Sequence, residues 1–189
     1  MQKIFSKVIN TEVINAQNGK RLARLHDLII DPDNGKIIAI IINPKKNLIV
    51  SILDISKWGN NIQVNDPHAI IDGFEILKVK KIQEEEKKII GSSVKTEDND
   101  YIGKVHDYYI ETDLGNLSKI ITKKHFLFFN YDERIIDFKD ILEIKKGEII
   151  IKSDYKTVKE TEKTESTIKA KEKLIIERAR LKNTNKNPA

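Results

Sequence analysis

The chain has 189 residues, no cysteine and a formal net charge of +5. The missing cysteine excludes disulfides, a thiolate nucleophile and any thiolate-held metal. The positive charge is concentrated at one end: from Asp154 onward ten Lys and Arg face six Asp and Glu, so the preceding 153 residues are close to neutral and lack the broad basic field that draws nucleic acid.

In chain order, residues 4–9 and 12–14 read as short strand material, and Asn18-Gly19 as a turn. Lys20–Asp31 has the apolar content of a strand or strand pair. Asp31-Pro-Asp-Asn-Gly35 is a hairpin turn, with Pro32 presetting φ and Gly35 supplying the positive φ of a bulged loop. Ile37–Ile42 is apolar on both faces and predicts a strand buried on both sides. Leu48–Leu53 predicts another strand, Asp54–Gly59 a helical turn capped by Asp54, and Ile62–Val64 a closing strand. Five or six short strands punctuated by turns are the pattern of a small all-β barrel.

The same course is then run again. Arg21–Ile41 aligns without a gap on Tyr101–Ile121, with seven of 21 pairs identical and five closely similar. Duplication on this scale implies two copies of one small domain. The second copy has predicted strands at Ile90–Val94, Tyr101–Glu111, Leu117–Thr122 and His125–Tyr131, with the turn Thr112–Gly115 answering the first copy's hairpin. The boundaries implied are a first domain over 1–79, a connecting helix over 80–88, a second domain over 89–153 and a tail over 154–189. The tail is rich in Lys, Glu and Thr; it reads either as one amphipathic helix over 165–182, supported by the pairs Glu165–Lys169 and Lys173–Glu177, or as a disordered segment.

Gly19, Ala23, Leu25, Asp27, Ile30 and Gly35 in the first copy, and Gly103, Val105, Asp107, Ile110 and Gly115 in the second, form a motif that resembles the PRC-barrel domain. The resemblance covers roughly 4–66 and 88–152. It implies an all-β protein of two tandem six-stranded barrels, similar to the cytoplasmic domain of the photosynthetic reaction-centre H subunit and to the C-terminal domain of a bacterial 16S rRNA maturation factor. Related barrels occur in archaeal cell-division proteins. What the resemblance implies for function is docking onto other macromolecules, with no family-wide catalytic residue and no cofactor. Two departures stand out: Ala23 where the second copy has Gly103, and Asn99 where the first has Gly19.

Several residue sets invite a chemical reading. His26-Asp27 and His106-Asp107 resemble the dipeptide of metal-dependent phosphohydrolases, but a dinuclear centre needs more ligands, and His68 and His125 sit in unmatched contexts. A strand whose Asp binds nearby backbone N–H groups explains them better. Asp31–Gly35 lacks the frame and closing Glu of a calcium loop, and no phosphate-binding glycine loop is present. The strongest binding candidates are Phe126, Phe128, Phe129 and Tyr131. On a single strand they would be divided between both faces, leaving one set to meet a sister domain or a partner.

The expectation is a non-enzymatic scaffold or adaptor that binds another protein, with no metal or cofactor. A factor associated with ribosome assembly or RNA processing, acting through the basic tail, is the first alternative; five arginines and no interleaved surface aromatics weaken it. A cell-division adaptor is the second. The N-terminal residues have no apolar core of a signal peptide, and the longest apolar run is far short of the ~20 residues of a membrane span, so a cytoplasmic location is expected. The oligomeric state is left open.

Overall fold

The computed structural model describes residues 1–126 and 130–157, with 125, 126, 130 and 131 as backbone only. The chain opens with β1 (Gln2–Ile4) and the single turn α1 (Phe5–Val8). The first repeat supplies β2 (Glu12–Asn15), β3 (Arg21–Arg24), β4 (Asp27–Ile30), β5 (Ile37–Asn43), β6 (Leu48–Ser51), β7 (Ile55–Trp58) and β8 (Ile62–Val64), then β9 (Ile70–Asp72) and α2 (Leu77–Glu84). The second repeat supplies β10 (Ser93–Thr96), β11 (Tyr101–Glu111), β12 (Asn116–Phe126), β13 (Asn130–Asp137), β14 (Ile141–Lys145) and β15 (Glu148–Ile151).

The repeats use one topology. β3-β2-β8-β7 form a four-stranded sheet, and β11-β10-β15-β14 stand in the same order in the second repeat. Each set contains one parallel pair, β2 with β8 and β10 with β15. The other half of each repeat is antiparallel, β4-β5-β6-β9 and β11-β12-β13. In the second repeat the single long strand β11 serves both halves and slips register between Val105 and Asp107. In the first repeat the chain breaks at the matching place, Leu25-His26, so β3 and β4 belong to separate sheets. The sheets are open and not the closed barrels expected. The edge strands β13 and β14 are consecutive in sequence but are separated by a 3-10 turn at Phe138–Asp140 and do not pair.

One hydrophobic cluster runs through both repeats, joining Val13, Leu25, Ile40 and Ile62 to Val94, Ile110, Ile120 and Ile149. Residues 1–155 accordingly form one compact unit. Small domains bury too little surface to be robust alone, and sharing a core answers that need. β5 is buried on both sides, as its run of isoleucines predicts. Ile37, Ile40 and Ile42 join the main cluster, whereas Ala39 lies in a second cluster with Ile29, Ile49 and Val79 of α2.

The repeats meet turn against turn, with reciprocal contacts. The Ile37 N–H donates to the Gly115 carbonyl at 2.7 Å and the Leu117 N–H to the Gly35 carbonyl at 2.8 Å, bracketing an antiparallel bridge between Lys36 and Asn116. Phe138 of the second repeat lies over Gly35, and Ile52 of the first lies beside Gly115. The hairpin turn is built as its residues dictate. Asp31 Oδ1 accepts the Asp33 N–H, Asn34 Oδ1 accepts the Lys36 N–H, and Gly35 has φ +72°.

Four sequence expectations are corrected. Residues 4–9 are not a strand, because Phe5–Val8 forms α1. Asp54–Gly59 is not a helical turn. The turn is Ile52–Asp54, with Ser51 Oγ accepting the Leu53 N–H, and the following residues are β7. His125–Tyr131 is not one strand, since His125 on β12 pairs across to Tyr131 on the antiparallel β13. The connecting helix is α2, Leu77–Glu84, which starts three residues and ends four residues before the expected 80–88. Ile76, Val79 and Ile82 recur at helical spacing and pack on the outer face of the first antiparallel sheet.

The family-motif departures have local causes. Asn99 keeps the left-handed φ of +69° that Gly19 also has, a conformation Asn tolerates. A Cβ on Gly103 would meet the Lys123 carbonyl oxygen at 2.7 Å. β12 passes that close only where β11 is continuous, so the broken strand of the first repeat accommodates Ala23.

Candidate functional site

The two His-Asp pairs do not converge on a shared centre. Both imidazoles are exposed. Asp107 is buried and spends its carboxylate on backbone, with Oδ1 accepting the Tyr108 N–H at 2.8 Å and the Ser6 N–H of α1 at 3.2 Å. Asp27 accepts the Leu28 N–H in the same way. Among the described residues no three His, Asp or Glu side chains are grouped to hold a metal. Phe128 and Phe129 lie outside the described residues, as do the side chains of Phe126 and Tyr131.

A recess lies elsewhere, where the repeats adjoin α2. It is a cleft of about 590 Å³, walled by β4, by Ile82 and Gln83 of α2 and by Glu86–Ile90, with Tyr108 of the second repeat contributing to its lining. Phe74 and Ile90 open into it with 54% and 42% of their surfaces exposed, large for apolar side chains that the fold could have covered. Lys45 and Lys88 stand at its rim and make no ion pair with a described carboxylate.

The polar groups around this cleft are specific. Asn47 is held by Asp72, to which its Nδ2 donates at 3.0 Å, and its Oδ1 accepts from Gln83 Nε2 at 2.8 Å. That chain fixes the Gln83 amide and leaves Gln83 Oε1 buried with no partner among the described residues, an arrangement that costs about 1–3 kcal/mol when nothing fills it. Protein walls around Asp27 raise its carboxyl pKa above the ordinary value, opposed by the Leu28 N–H and the charge of Lys88. Burial raises the Tyr108 phenol well above its ordinary range, and Asp27 and Asp107 add to this. Phe5 stacks on the Tyr108 ring with centroids 4.5 Å apart.

Beside the cleft, Lys78 Nζ reaches the buried Asp31 Oδ2 at 2.5 Å. Burial works to raise the Asp31 carboxyl, but Lys78 and the Asp33 N–H together outweigh it and hold the pKa below the ordinary value. This pair ties α2 to the hairpin turn.

Sequence reasoning missed the cleft because its residues come from separated stretches, each with a plain structural role. The available signal was Ile76, Val79 and Ile82, which marks α2 as a packed helix and so places a wall there.

The chemistry on offer is recognition: apolar side chains at a mouth, a backbone edge along one side, a buried acceptor with no partner among the described residues and two lysines that form no salt bridge with a described carboxylate. No helix among the described residues is long and apolar enough to cross a membrane. No curated protein matches the chain. A family model described as the PRC-barrel domain matches residues 2–71 and again 83–158. The chain therefore belongs to the PRC-barrel domain family and carries the domain twice in tandem.

Proposed function

We propose that the protein is a non-enzymatic docking module, a tandem PRC-barrel adaptor that binds another protein. The observation that carries this reading is the cleft beside β4, where Phe74 and Ile90 stay exposed around a sheet edge at the mouth of a concave recess. Apolar anchors at a concave mouth are what protein interfaces use for most of their affinity. The fused core supports the same reading, because a rigid body presents a preorganised surface and lowers the ordering cost of association.

The test is affinity capture with the full chain under two conditions, wild type and the double variant Phe74→Asp/Ile90→Asp. Both substitutions fall on exposed positions and leave the core intact. A protein recovered with the wild type and lost with the variant, and then shown to bind directly in purified form, supports the reading. Recovery of no direct protein partner from cells that express the chain contradicts it.

A further inference from the structure

The two repeats differ at one edge. In the second repeat, β1 lies antiparallel along β11, with Lys3 opposite Ile110 and Ile4 opposite Tyr109. The Thr112 N–H donates to the Met1 carbonyl at 3.0 Å, so this edge of β11 is closed by an extended segment. The matching edge in the first repeat belongs to β4. The residues that lead into each repeat correspond at a spacing of 81, against 80 for their strand partners: Asn10 donates to Leu25 as Gly91 does to Val105, and Leu25 donates to Thr11 as Val105 does to Ser92. By that spacing Gln2–Ile4 corresponds to 83–85. Those residues are not extended; they form the last turn of α2 and its C-cap.

The sequence explains the difference. Gln2-Lys-Ile-Phe5 offers a β-branched and an aromatic residue, whereas Gln83-Glu-Glu-Glu86 offers good helix formers that are poor in strands. The strand that would close β4 has been spent on a helix. Among the described residues β4 therefore pairs with β5 alone. The Asp31 N–H donates to Lys36 across the hairpin, so the Ile30 N–H, one residue earlier, points to the opposite side, into the cleft. An edge with no strand paired to it is a template for another, although Asp27 Oδ1 already takes the Leu28 N–H, and Gln83 Oε1, without a partner among the described residues, stands at the same cleft.

We infer that β4 takes up an extended segment of a partner protein, added antiparallel along Ile29–Asp31, the residues that match Tyr109–Glu111 where β1 is added to β11. This rests on the docking-module reading and specifies how the partner is held. The segment fitted to the site has an Ile-aromatic pair to meet Phe74 and Ile90 and acidic flanks to meet Lys45 and Lys88. Main-chain hydrogen bonds supply affinity and the side chains supply selectivity, as in other strand-addition complexes.

The experiment uses the full chain and two synthetic peptides: Gln-Glu-Ile-Phe-Ser-Glu-Val, which is residues 2–8 with Lys3 and Lys7 exchanged for Glu, and the native-sequence peptide. Amide shifts and hydrogen exchange are followed by NMR. The expected result is saturable binding of the acidic peptide, slowed exchange at the Ile30 amide, weaker binding of the native peptide, and a loss of about tenfold in affinity in Phe74→Asp/Ile90→Asp. Binding without protection of Ile30, equal binding of both peptides, or an Ile30 amide already fully protected without peptide would each overturn the inference. A partner captured equally by wild type and double variant would overturn it too, while leaving the broader docking role standing.

Discussion

The turn-to-turn junction makes a graded prediction from three glycines. Gly19, Gly35 and Gly115 all have positive φ, at +69°, +72° and +61°. Alanine at any of them carries the conformational cost of a left-handed L-residue, roughly 1–2 kcal/mol. At Gly19 a Cβ meets nothing within 4 Å, and at Gly115 it meets Ile52 Cγ1 at an ordinary 3.5 Å. At Gly35 it meets three atoms of the Phe138 ring at 2.8–2.9 Å, and carbon atoms prefer roughly 3.5–4 Å. The ring must move by most of an ångström, and overpacking of that kind adds about 1–3 kcal/mol. Gly35→Ala is therefore expected to cost about 2–5 kcal/mol, against roughly 1–2 for Gly19→Ala and Gly115→Ala. Urea melts followed by Trp58 fluorescence and circular dichroism measure this. Combining Gly35→Ala with Phe138→Leu should recover about 1 kcal/mol or more relative to additivity. If Gly35→Ala costs no more than Gly19→Ala, Phe138 is not seated on that turn and the account of how the repeats join is wrong.

Further outcomes concern charge and the core. Ile40→Asp places a charge in a fully buried position and should cost roughly 4–5 kcal/mol or more; because the core is shared, circular dichroism should show the second repeat unfolding with the first. Lys78→Ala should cost about 1 kcal/mol near neutrality, since the lysine is half-exposed. The Asp31 carboxyl is lowered in the fold, so its contribution is present above the unfolded carboxylate range and lost as the pH falls through the folded value; melts of wild type and variant should converge in acid. Asp27 has the opposite sign. Its raised pKa means that stability is lost as the pH rises through the interval between the unfolded and folded values, so Asp27→Asn should raise the melting temperature near pH 7 and give no gain in strong acid.

Much of the fold was legible where a residue pattern has one physical solution. The isoleucines of β5 could only be buried on both faces, Asp31–Gly35 could only turn, and the internal alignment marked two like units. What was not legible depended on contacts between distant segments. Nothing near Leu25-His26 says that the first repeat breaks there while Val105-His106 continues. The aromatic run at 125–131 alternates like a strand, yet the chain there is shared between two antiparallel strands. The cleft was hidden for the same reason. Its character depends on Gln83–Glu85 being helical where Gln2–Ile4 is extended, a difference that shows only when the repeats are compared at their edges.

The most direct test of the account is native-state hydrogen exchange on the unliganded full chain, comparing the amides of Ile30 and Ile110. They are the same position in the two repeats, one facing the open cleft and the other facing β1. The account predicts that Ile110 exchanges only with large-scale unfolding and that Ile30 exchanges far faster, through local solvent access. Equal protection of the two amides would show that the β4 edge is already closed and would contradict the claim that it is held open for a partner.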